Sequence, residues 1–335
     1  MHKKIFVPSF FILLSVLFCN ATLAQKSRIK TIIVDAGHGG REPGAKGSYS
    51  TEAQITLALS LKVAALLEKE LPDTKIVQSR TTDVFQPVTE KAAFANQNKG
   101  DLFVCIHVNA APPIRHSQIT GYRNNVYYTG KGKNRKKHIK KEPVYKVWYT
   151  PSPRYGTGTY VWAADRDDNK ASAMSERFES EAEVSDDVPD PNTPEGLIAS
   201  RLWVQKYFKN SVRLASMIEN EFVKIGRKSD GVLQRNEKGI WVLQATNMPA
   251  VLIETGFITN EEEEDFLNSE AGQEQMAGAI VRAVVNFKKT MDASRGAAAS
   301  DNTSAGAIPE KTKKTAFSET KAAQKSQNTP AISRK

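Results

Sequence analysis

Apolar residues alternate along the chain between short continuous runs and longer stretches with helical spacing. The continuous runs are rich in β-branched residues and have the length of buried strands; they are TIIVDAG (31–37), KIVQSR (75–80), DLFVCIHVNA (101–110), IWVLQ (240–244) and PAVLIETGF (249–257). Helical spacing covers residues 52–69, the stripe from Val204 to Phe222, and residues 262–289. This alternation predicts an α/β fold, a three-layer sandwich with a largely parallel or mixed central sheet flanked by helices.

Two segments fall outside the alternation. Residues 112–195 are too long for an ordinary connection, and they are basic in the first half and acidic in the second, so the segment is either functional or disordered. Residues 294–335 contain almost no large apolar side chains and cannot bury enough surface to become ordered. We therefore expect a catalytic domain over residues 25–293 that carries a long insertion, followed by a disordered basic tail.

The N-terminus has the pattern of a secretory signal peptide. Lys3 and Lys4 precede an apolar run over residues 5–18, and small residues follow up to Ala24. The apolar run is shorter than the ~20 residues that a membrane-spanning helix needs. We expect cleavage after Ala24, export to the periplasm or cell envelope, and no transmembrane segment in the mature chain.

The positive charge is concentrated in two places. The chain has a net charge of +10, of which residues 131–147 carry +7 (eight Lys/Arg against Glu142) and the tail from Ser294 carries +5 (eight against three acidic residues). Such local basicity favours an acidic partner such as cell wall, anionic lipid headgroups or nucleic acid. Export makes nucleic acid the least favoured of these, and a solvated charge run without a partner is an equally good interpretation.

Candidate catalytic groups gather where predicted strands end. His38 follows the first strand, His107 lies late in the third, and Glu254 lies late in the last. In an open α/β sheet these ends meet at one edge. Glu52 heads the inward apolar face of the first helix, where a carboxylate needs a partner. Two imidazoles and a carboxylate match the ligands of a catalytic zinc, and a second carboxylate could move the proton of a bound water.

Each of these residues also has a structural interpretation on its own. A histidine at a strand end is more often a satisfied structural residue than a ligand. The carboxylate of Glu52 could simply interact favourably with the positive end of a helix dipole, and Glu254 could be a buried ion-pair partner. The prediction therefore depends on the combination.

Four segments resemble, in order, the signature blocks of a known family. IIVDAGHGGREPGAKG, STEAQITLALSLKVAALL, DLFVCIHVNA and PAVLIETGFITNEEEEDFL are similar to the blocks of the zinc-dependent N-acetylmuramoyl-L-alanine amidases of the amidase-3 type, from about Ile32 to Phe287 without the insertion. The resemblance implies that His38, Glu52 and His107 bind Zn²⁺ and that Glu254 is the catalytic carboxylate. It also implies a peptidoglycan substrate, cleaved between N-acetylmuramic acid and L-alanine during wall turnover or daughter-cell separation.

The departures from the family pattern lie outside the proposed ligand positions. They are Ala36 where proline is frequent, Glu42 where aspartate is frequent, and Lys91 where arginine is common. Arg80, after the second strand, also fits the pattern, and it could contact substrate or form a structural ion pair.

The insertion contains a candidate regulatory helix. Some members of the family carry a helix in this place that covers the zinc until an activator protein displaces it. NKASAMSERFESEAEV (169–184) has helical spacing of Ala171, Met174 and Phe178, so we predict a helix with Glu176 at the open zinc position and Glu179 as a second choice. A solvated acidic segment explains the same residues equally well.

Two rival functions remain at this point. One is another zinc peptidase acting on peptidoglycan, and the other is a non-catalytic wall-binding or scaffolding protein on the same fold. The presence of all four polar residues disfavours the second.

Overall fold

The computed structural model describes residues 29–163, 170–171, 193–237 and 239–304, with side chains as far as residue 293. Contacts divide the chain into two compact units, residues 1–295 and 296–335, and every strand of the described residues belongs to the first unit. The predicted signal peptide (1–24) lies outside the described residues, as does the tail beyond residue 304.

The described strands and helices follow one another along the chain as the apolar pattern suggested, with one helix and four strands that the pattern did not predict. The strands are β1 (Thr31–Ala36), β2 (Lys75–Gln78), β3 (Leu102–Asn109), β4 (Ile114–Thr129), β5 (Lys136–Thr150), β6 (Thr157–Val161), β7 (Ser229–Gln234) and β8 (Ala250–Phe257). The helices are α1 (Glu52–Glu70), α2 (Val88–Gln97), α3 (Pro194–Lys224), α4 (Trp241–Ala245), α5 (Glu261–Asn268) and α6 (Glu270–Ser304). The elements that the pattern did not predict are α2, β4, β5, β6 and β7.

The central sheet is mixed. Within the described residues it has the strand order β2-β1-β3-β8-β6-β7. The strands β2, β1, β3 and β8 run parallel, whereas β6 is antiparallel to β8 and parallel to β7. The carboxyl ends of β1, β3 and β8 therefore lie side by side at one edge of the sheet.

Helices cover both faces of the sheet. Along β3, Leu102, Val104 and Ile106 pack on one face with the buried side of α1 and of α6. Phe103 and Cys105 point to the opposite face and pack with buried residues of α2 and α4. This alternation is the period-2 pattern of a strand between two layers, and it confirms the predicted three-layer α/β sandwich.

Two predicted elements were wrong. Residues 240–244 form the helix α4 instead of a strand, with Val242 and Leu243 buried and Trp241 exposed. An apolar run of five residues does not distinguish a strand from a buried helical turn. Residues 262–289 were predicted as one helix but form α5 and α6, which are separated at Ser269, where the backbone is extended. The Ser269 hydroxyl accepts a hydrogen bond from the Gly272 amide (3.0 Å) and so caps the second helix.

The segment 112–195 contains ordered structure that the sequence pattern did not predict. Its first half forms an antiparallel hairpin of β4 and β5, and β6 lies inside the central sheet between β8 and β7. The strand β6 is short and contains Gly158 between buried threonines, so it lacks the apolar run of a sheet strand. Of the predicted helix 169–184, Lys170 and Ala171 are helical and the rest lies outside the described residues.

A buried ion pair ties α2 to the end of β1. The ammonium of Lys91 lies 2.9 Å from Asp35 Oδ1 and also donates to the carbonyl of Ala36. The carboxylate of Asp35 accepts further hydrogen bonds from the Ser79 hydroxyl and from the Cys105 thiol. Burial alone would raise the pKa of Asp35, but the charge of Lys91 and these hydrogen bonds hold it below its usual value. These contacts thus fix the backbone that leads into His38.

A second carboxylate, Glu264 of α5, fixes the loop that leads into α1. Glu264 is only 1% exposed, and it accepts hydrogen bonds from the amides of Ser48, Tyr49 and Ser50 and from both serine hydroxyls, at 2.6–3.0 Å. Burial opposes ionisation, but these donors lower the pKa of Glu264 to about 2. The loop therefore depends on the charged form of this side chain.

Replacing this carboxylate should reduce the pH dependence of the free energy of unfolding at acid pH. A fall in pKa from 4.5 to about 2 corresponds to about 3 kcal/mol. Because the folded-state pKa is lowered, this stabilisation is present above about pH 4.5 and is lost as the pH falls towards 2. Glu264→Gln should lower the free energy of unfolding at pH 7 by about 3 kcal/mol and remove that part of the pH dependence.

Urea unfolding of both proteins between pH 7 and pH 2 measures this effect. The matched control is Glu262→Gln, on the same helix but exposed, which should leave the profile within about 0.5 kcal/mol of the parent. Equal profiles for Glu264→Gln and the parent would contradict the proposed dependence.

Candidate metal centre

Four of the predicted site residues meet at the carboxyl edge of the sheet, around a cavity of about 410 Å³. His38 follows β1, His107 lies near the end of β3, and Glu254 is its direct register partner on β8. Glu52 is the first residue of α1 and is buried. All four side chains line the cavity, as the combination of strand ends and helix start suggested.

The carboxylate of Glu52 lies between the two imidazoles. Its Oε1 is 2.8 Å from His107 Nδ1, and its Oε2 is 3.1 Å from His38 Nε2. The ring centroids of the two histidines are 5.0 Å apart. One ligand atom from each of His38, Glu52 and His107 lies within 4.8 Å of the others, so the three side chains converge on one point.

Backbone amides fix the orientation of the same carboxylate. The Val108 amide donates to Glu52 Oε1 (3.0 Å), and the Ala45 amide donates to Oε2 (2.9 Å). Burial would raise the pKa of Glu52, but hydrogen bonds from His107 and His38 and their positive charge hold it well below its usual range. Glu52 is therefore an anion between two nitrogen bases, held in place by the strand on one side and the loop on the other.

His38 is held in an unusual backbone conformation and has a second carboxylate partner. Its φ of 58° lies in the left-handed region, which non-glycine residues seldom adopt. Its Nδ1 is 2.9 Å from Glu42 Oε1, so Nε2 faces Glu52 and the cavity. Burial alone would lower the pKa of His38, whereas Glu52 and Glu42 raise it. A carboxylate on the far nitrogen is the usual way in which a metal-binding histidine is oriented.

Glycines let the backbone approach the histidines closely. A Cβ on Gly37 would lie 2.6–2.8 Å from atoms of the His107 ring. A Cβ on Gly44, whose φ is +67°, would lie 2.6 Å from Glu52 Oε2 and 2.7 Å from His38 Cδ2. Real Cβ contacts are not that short, so a side chain at either position would displace the converging groups.

Glu254 differs from His38, Glu52 and His107 in its hydrogen bonding. Among the described residues no hydrogen-bond partner lies within reach of its buried Oε2. Burial raises the pKa of Glu254 to about 7; the positive charge of His107 opposes this rise and the negative charge of Glu52 adds to it. A carboxyl group without a fixed partner at the wall of a cavity is suited to exchange protons with a bound molecule.

The donor set fits the cation that the sequence suggested. Two imidazole nitrogens and a carboxylate oxygen, within reach of one point and open to a cavity, are the ligands of a catalytic zinc. The amides on Glu52 and the Glu42 carboxylate on His38 supply the outer contacts that such ligands need. The residues present therefore fit a zinc ion held by His38, Glu52 and His107.

Arg80 binds backbone carbonyl groups next to the site. It is buried, and its guanidinium donates to the carbonyls of Ala36, Gly37 and Ala53 at 2.8–3.2 Å. It lies under the turn that carries His38 and is not among the residues that line the cavity. Of the two sequence interpretations the structural one fits, although the partners of Arg80 are carbonyl groups and not the carboxylate of an ion pair.

Some residues of the site had no signal in the sequence. Arg235, after β7, lines the cavity, and exposed Trp241 and Val88 stand at its rim. Glu42 was noted only as a departure from the family pattern, and its contact with His38 emerges from the fold alone. Glu176 and Glu179, predicted to reach the metal, lie outside the described residues.

Comparisons with known proteins identify the family to which the chain is similar. Residues 32–286 match the family model described as N-acetylmuramoyl-L-alanine amidase. The N-acetylmuramoyl-L-alanine amidase AmiA of Escherichia coli (strain K12) is 26% identical over 276 residues, which cover 79% of this chain and 78% of that protein. AmiC of Escherichia coli O6:H1 is 25% identical over 262 residues, or 78% of this chain, which spans only 53% of AmiC.

A solved structure shares the fold. The N-acetylmuramoyl-L-alanine amidase from Clostridium difficile 630 superimposes with a TM-score of 0.50 at 23% identity, over 78% of this chain and 97% of that one. The family model covers most of the chain, including every residue that lines the cavity. The chain therefore belongs to the N-acetylmuramoyl-L-alanine amidase family.

Proposed function

We propose that this protein is an exported zinc hydrolase that cleaves the amide between N-acetylmuramic acid and L-alanine in peptidoglycan. The observation that carries the proposal is the convergence of His38, Glu52 and His107 within 4.8 Å, beside a Glu254 carboxyl group with a buried, unpartnered oxygen. Membership of the amidase family supports the choice of substrate.

Zn²⁺ bound by His38, Glu52 and His107 would polarise the scissile carbonyl group and make a water molecule acidic. Glu254 accepts the proton of the attacking water at Oε2 and delivers it to the nitrogen of L-alanine, which leaves as an amine. Since Oε2 has no described competing partner, the carboxyl group is free to perform both transfers. The atoms balance, because one water is consumed and the lactyl acid and the free amine are released.

The remaining cavity residues fit an anionic peptide. Arg235 brings a positive charge to the wall of the cavity, and the stem peptide of peptidoglycan carries carboxylates. Exposed Trp241 and Val88 give the rim an apolar surface for the body of the substrate. The site thus offers reaction groups at the bottom and substrate contacts at the mouth.

The proposed location is the periplasm or cell envelope, where wall turnover and daughter-cell separation need this reaction. The signal-like pattern of residues 1–24 supports export. Among the described residues, no helix combines the length and the apolar character of a membrane span.

Substitutions at the ligands should remove the metal, whereas substitution of Glu254 should lower turnover without removing it. We expect about one zinc per mature chain, lost in His38→Ala and in His107→Ala, because each variant removes one of three ligands. Glu254→Gln should keep the zinc and lose about 10²-fold or more in turnover, because it cannot accept a proton. Elemental analysis and hydrolysis of purified peptidoglycan measure the two quantities.

The matched controls are His116→Ala, a histidine of the hairpin, and Glu262→Gln, an exposed glutamate. Both should retain zinc and activity. A folded parent chain without zinc after growth in zinc-containing medium would favour the scaffolding function instead.

The bond that is cleaved distinguishes an amidase from a peptidase. We expect the new amino termini in digested peptidoglycan to be those of L-alanine, because the proposed reaction releases the whole stem peptide. Labelling of free amines followed by mass spectrometry identifies them. New termini at any residue further along the stem would identify a peptidase.

We also propose that residues 169–184 form a helix that restrains the enzyme until an activator protein displaces it, with Glu176 at the zinc and Glu179 as second choice. Deletion of residues 172–192, which keeps Lys170 and the Thr193 cap of α3, should raise basal activity several-fold. Glu176→Gln should have the same effect, and Glu181→Gln is the matched control. Unchanged or lower activity in a folded, zinc-loaded deletion variant would contradict the restraint.

A further inference from the structure

The hairpin of β4 and β5 leaves the catalytic edge of the fold. It begins a few residues after the end of β3, and its strands pair with each other as a separate two-stranded sheet over fifteen residues of β5. At about 3.4 Å per residue this is roughly 50 Å of ribbon. A two-stranded hairpin alone is marginally stable in water, so a covering partner would stabilise it.

The two faces of the ribbon differ in kind. Register pairing places one set of side chains together, which we name the aromatic face: Arg115, Ser117, Ile119, Tyr122, Asn124, Val126, Tyr128, Lys137, Ile139, Lys141, Pro143, Tyr145, Val147 and Tyr149. The side chains that alternate with these form the polar face. A bulge between Ile119 and Gly121 keeps the register along β4.

Polar side chains of the polar face form hydrogen bonds with one another. Arg123 and Asn125 donate to Glu142, and the His116 and His138 rings form hydrogen bonds with Thr150 and Thr129. Its two large aromatic rings are partnered by histidines, because Trp148 stacks on His116 and Tyr127 stacks on His138, although both rings remain partly exposed. The polar groups and the rings of this face therefore find partners within the hairpin itself.

The aromatic face presents large apolar side chains to solvent. Tyr122 is 66% exposed, Tyr149 60% and Ile139 58%. Several large apolar side chains exposed on one face mark an interaction site. The aliphatic members, Val126, Ile119 and Val147 among them, are also half-exposed, so the surface is more than a row of rings.

The hairpin is strongly basic. Residues 114–150 contain ten Lys/Arg and one acidic residue, a net charge of +9. The acidic residue, Glu142, lies on the polar face, so the charged groups of the aromatic face are Arg115, Lys137 and Lys141. The partner must therefore present both an apolar layer and negative charge.

We propose that the aromatic face binds the surface of an anionic phospholipid membrane. Tyrosines enter the interfacial region and lysines contact anionic headgroups, as in other interfacial elements. Glycan strands would engage aromatic rings but leave the aliphatic side chains without a partner. A second copy of the chain would bring two +9 hairpins together, which repulsion opposes.

The test uses the mature full-length chain and unilamellar vesicles of phosphatidylglycerol and phosphatidylcholine, with binding measured by co-sedimentation. Lys137→Gln/Lys141→Gln removes two charges from the aromatic face, and Lys136→Gln/Lys140→Gln removes two neighbouring charges from the polar face. The first pair should weaken binding about 30-fold, since each interfacial lysine contributes about 1 kcal/mol. The second should weaken it about 3-fold or less, through the screened field alone.

An apolar pair provides a second comparison without a change of charge. Tyr122→Ser/Tyr145→Ser should weaken vesicle binding, and Tyr127→Ser/Trp148→Ser, on the polar face, should weaken it less. Circular dichroism melting of each variant shows whether the fold is intact. Vesicle binding does not require turnover, so the Glu254→Gln chain should bind as well as the parent, and loss of the amidase proposal would leave this result unaffected.

Equal losses in both lysine pairs would overturn the proposal, because they would indicate attraction without an oriented face. Binding to purified glycan strands that depends on Tyr122 and Tyr145, without vesicle binding, would identify a glycan partner instead. Concentration-dependent dimerisation that the tyrosine pair abolishes would identify a second copy.

Discussion

The carboxylate of Glu52 is buried where an isolated charge would be unstable, and most of the site follows from how that charge is compensated. Two imidazoles and two backbone amides surround it. The four donors come from three parts of the chain, so the anion is fully compensated only when the end of β1, the strand β3 and the loop before α1 are all in place. The packing of these elements therefore also brings His38, Glu52 and His107 together.

The positions of these donors depend on interactions with residues that lie outside the cavity. Lys91 and Arg80 both donate to the carbonyl of Ala36, and Glu264 accepts hydrogen bonds from the amides of the loop that leads to Glu52. None of these three side chains lines the cavity. They act by removing freedom from the backbone, and Lys91 is itself held in place by its ion pair with Asp35.

The sequence predicted best those parts whose pattern is imposed by burial. The strands β1, β3 and β8 are buried on both faces and read as apolar runs, and α1 carries its stripe from Ile55 to Leu67. The short strand β6 was missed because threonine and glycine replace its apolar run. The hairpin was missed because both of its faces are exposed, so no core imposes a pattern. Contacts such as Glu42 with His38 depend on a left-handed turn that no periodicity encodes.

Cys105, the cysteine of the described residues, lies at the centre of the sheet with its thiol donating to Asp35. Burial raises the pKa of this thiol well above its usual value, which keeps it protonated and shielded from oxidants. The domain consequently reaches its native state without forming a disulfide. Its folding should proceed equally well under oxidising and reducing conditions, because no bond between the described residues depends on the redox state of the solution.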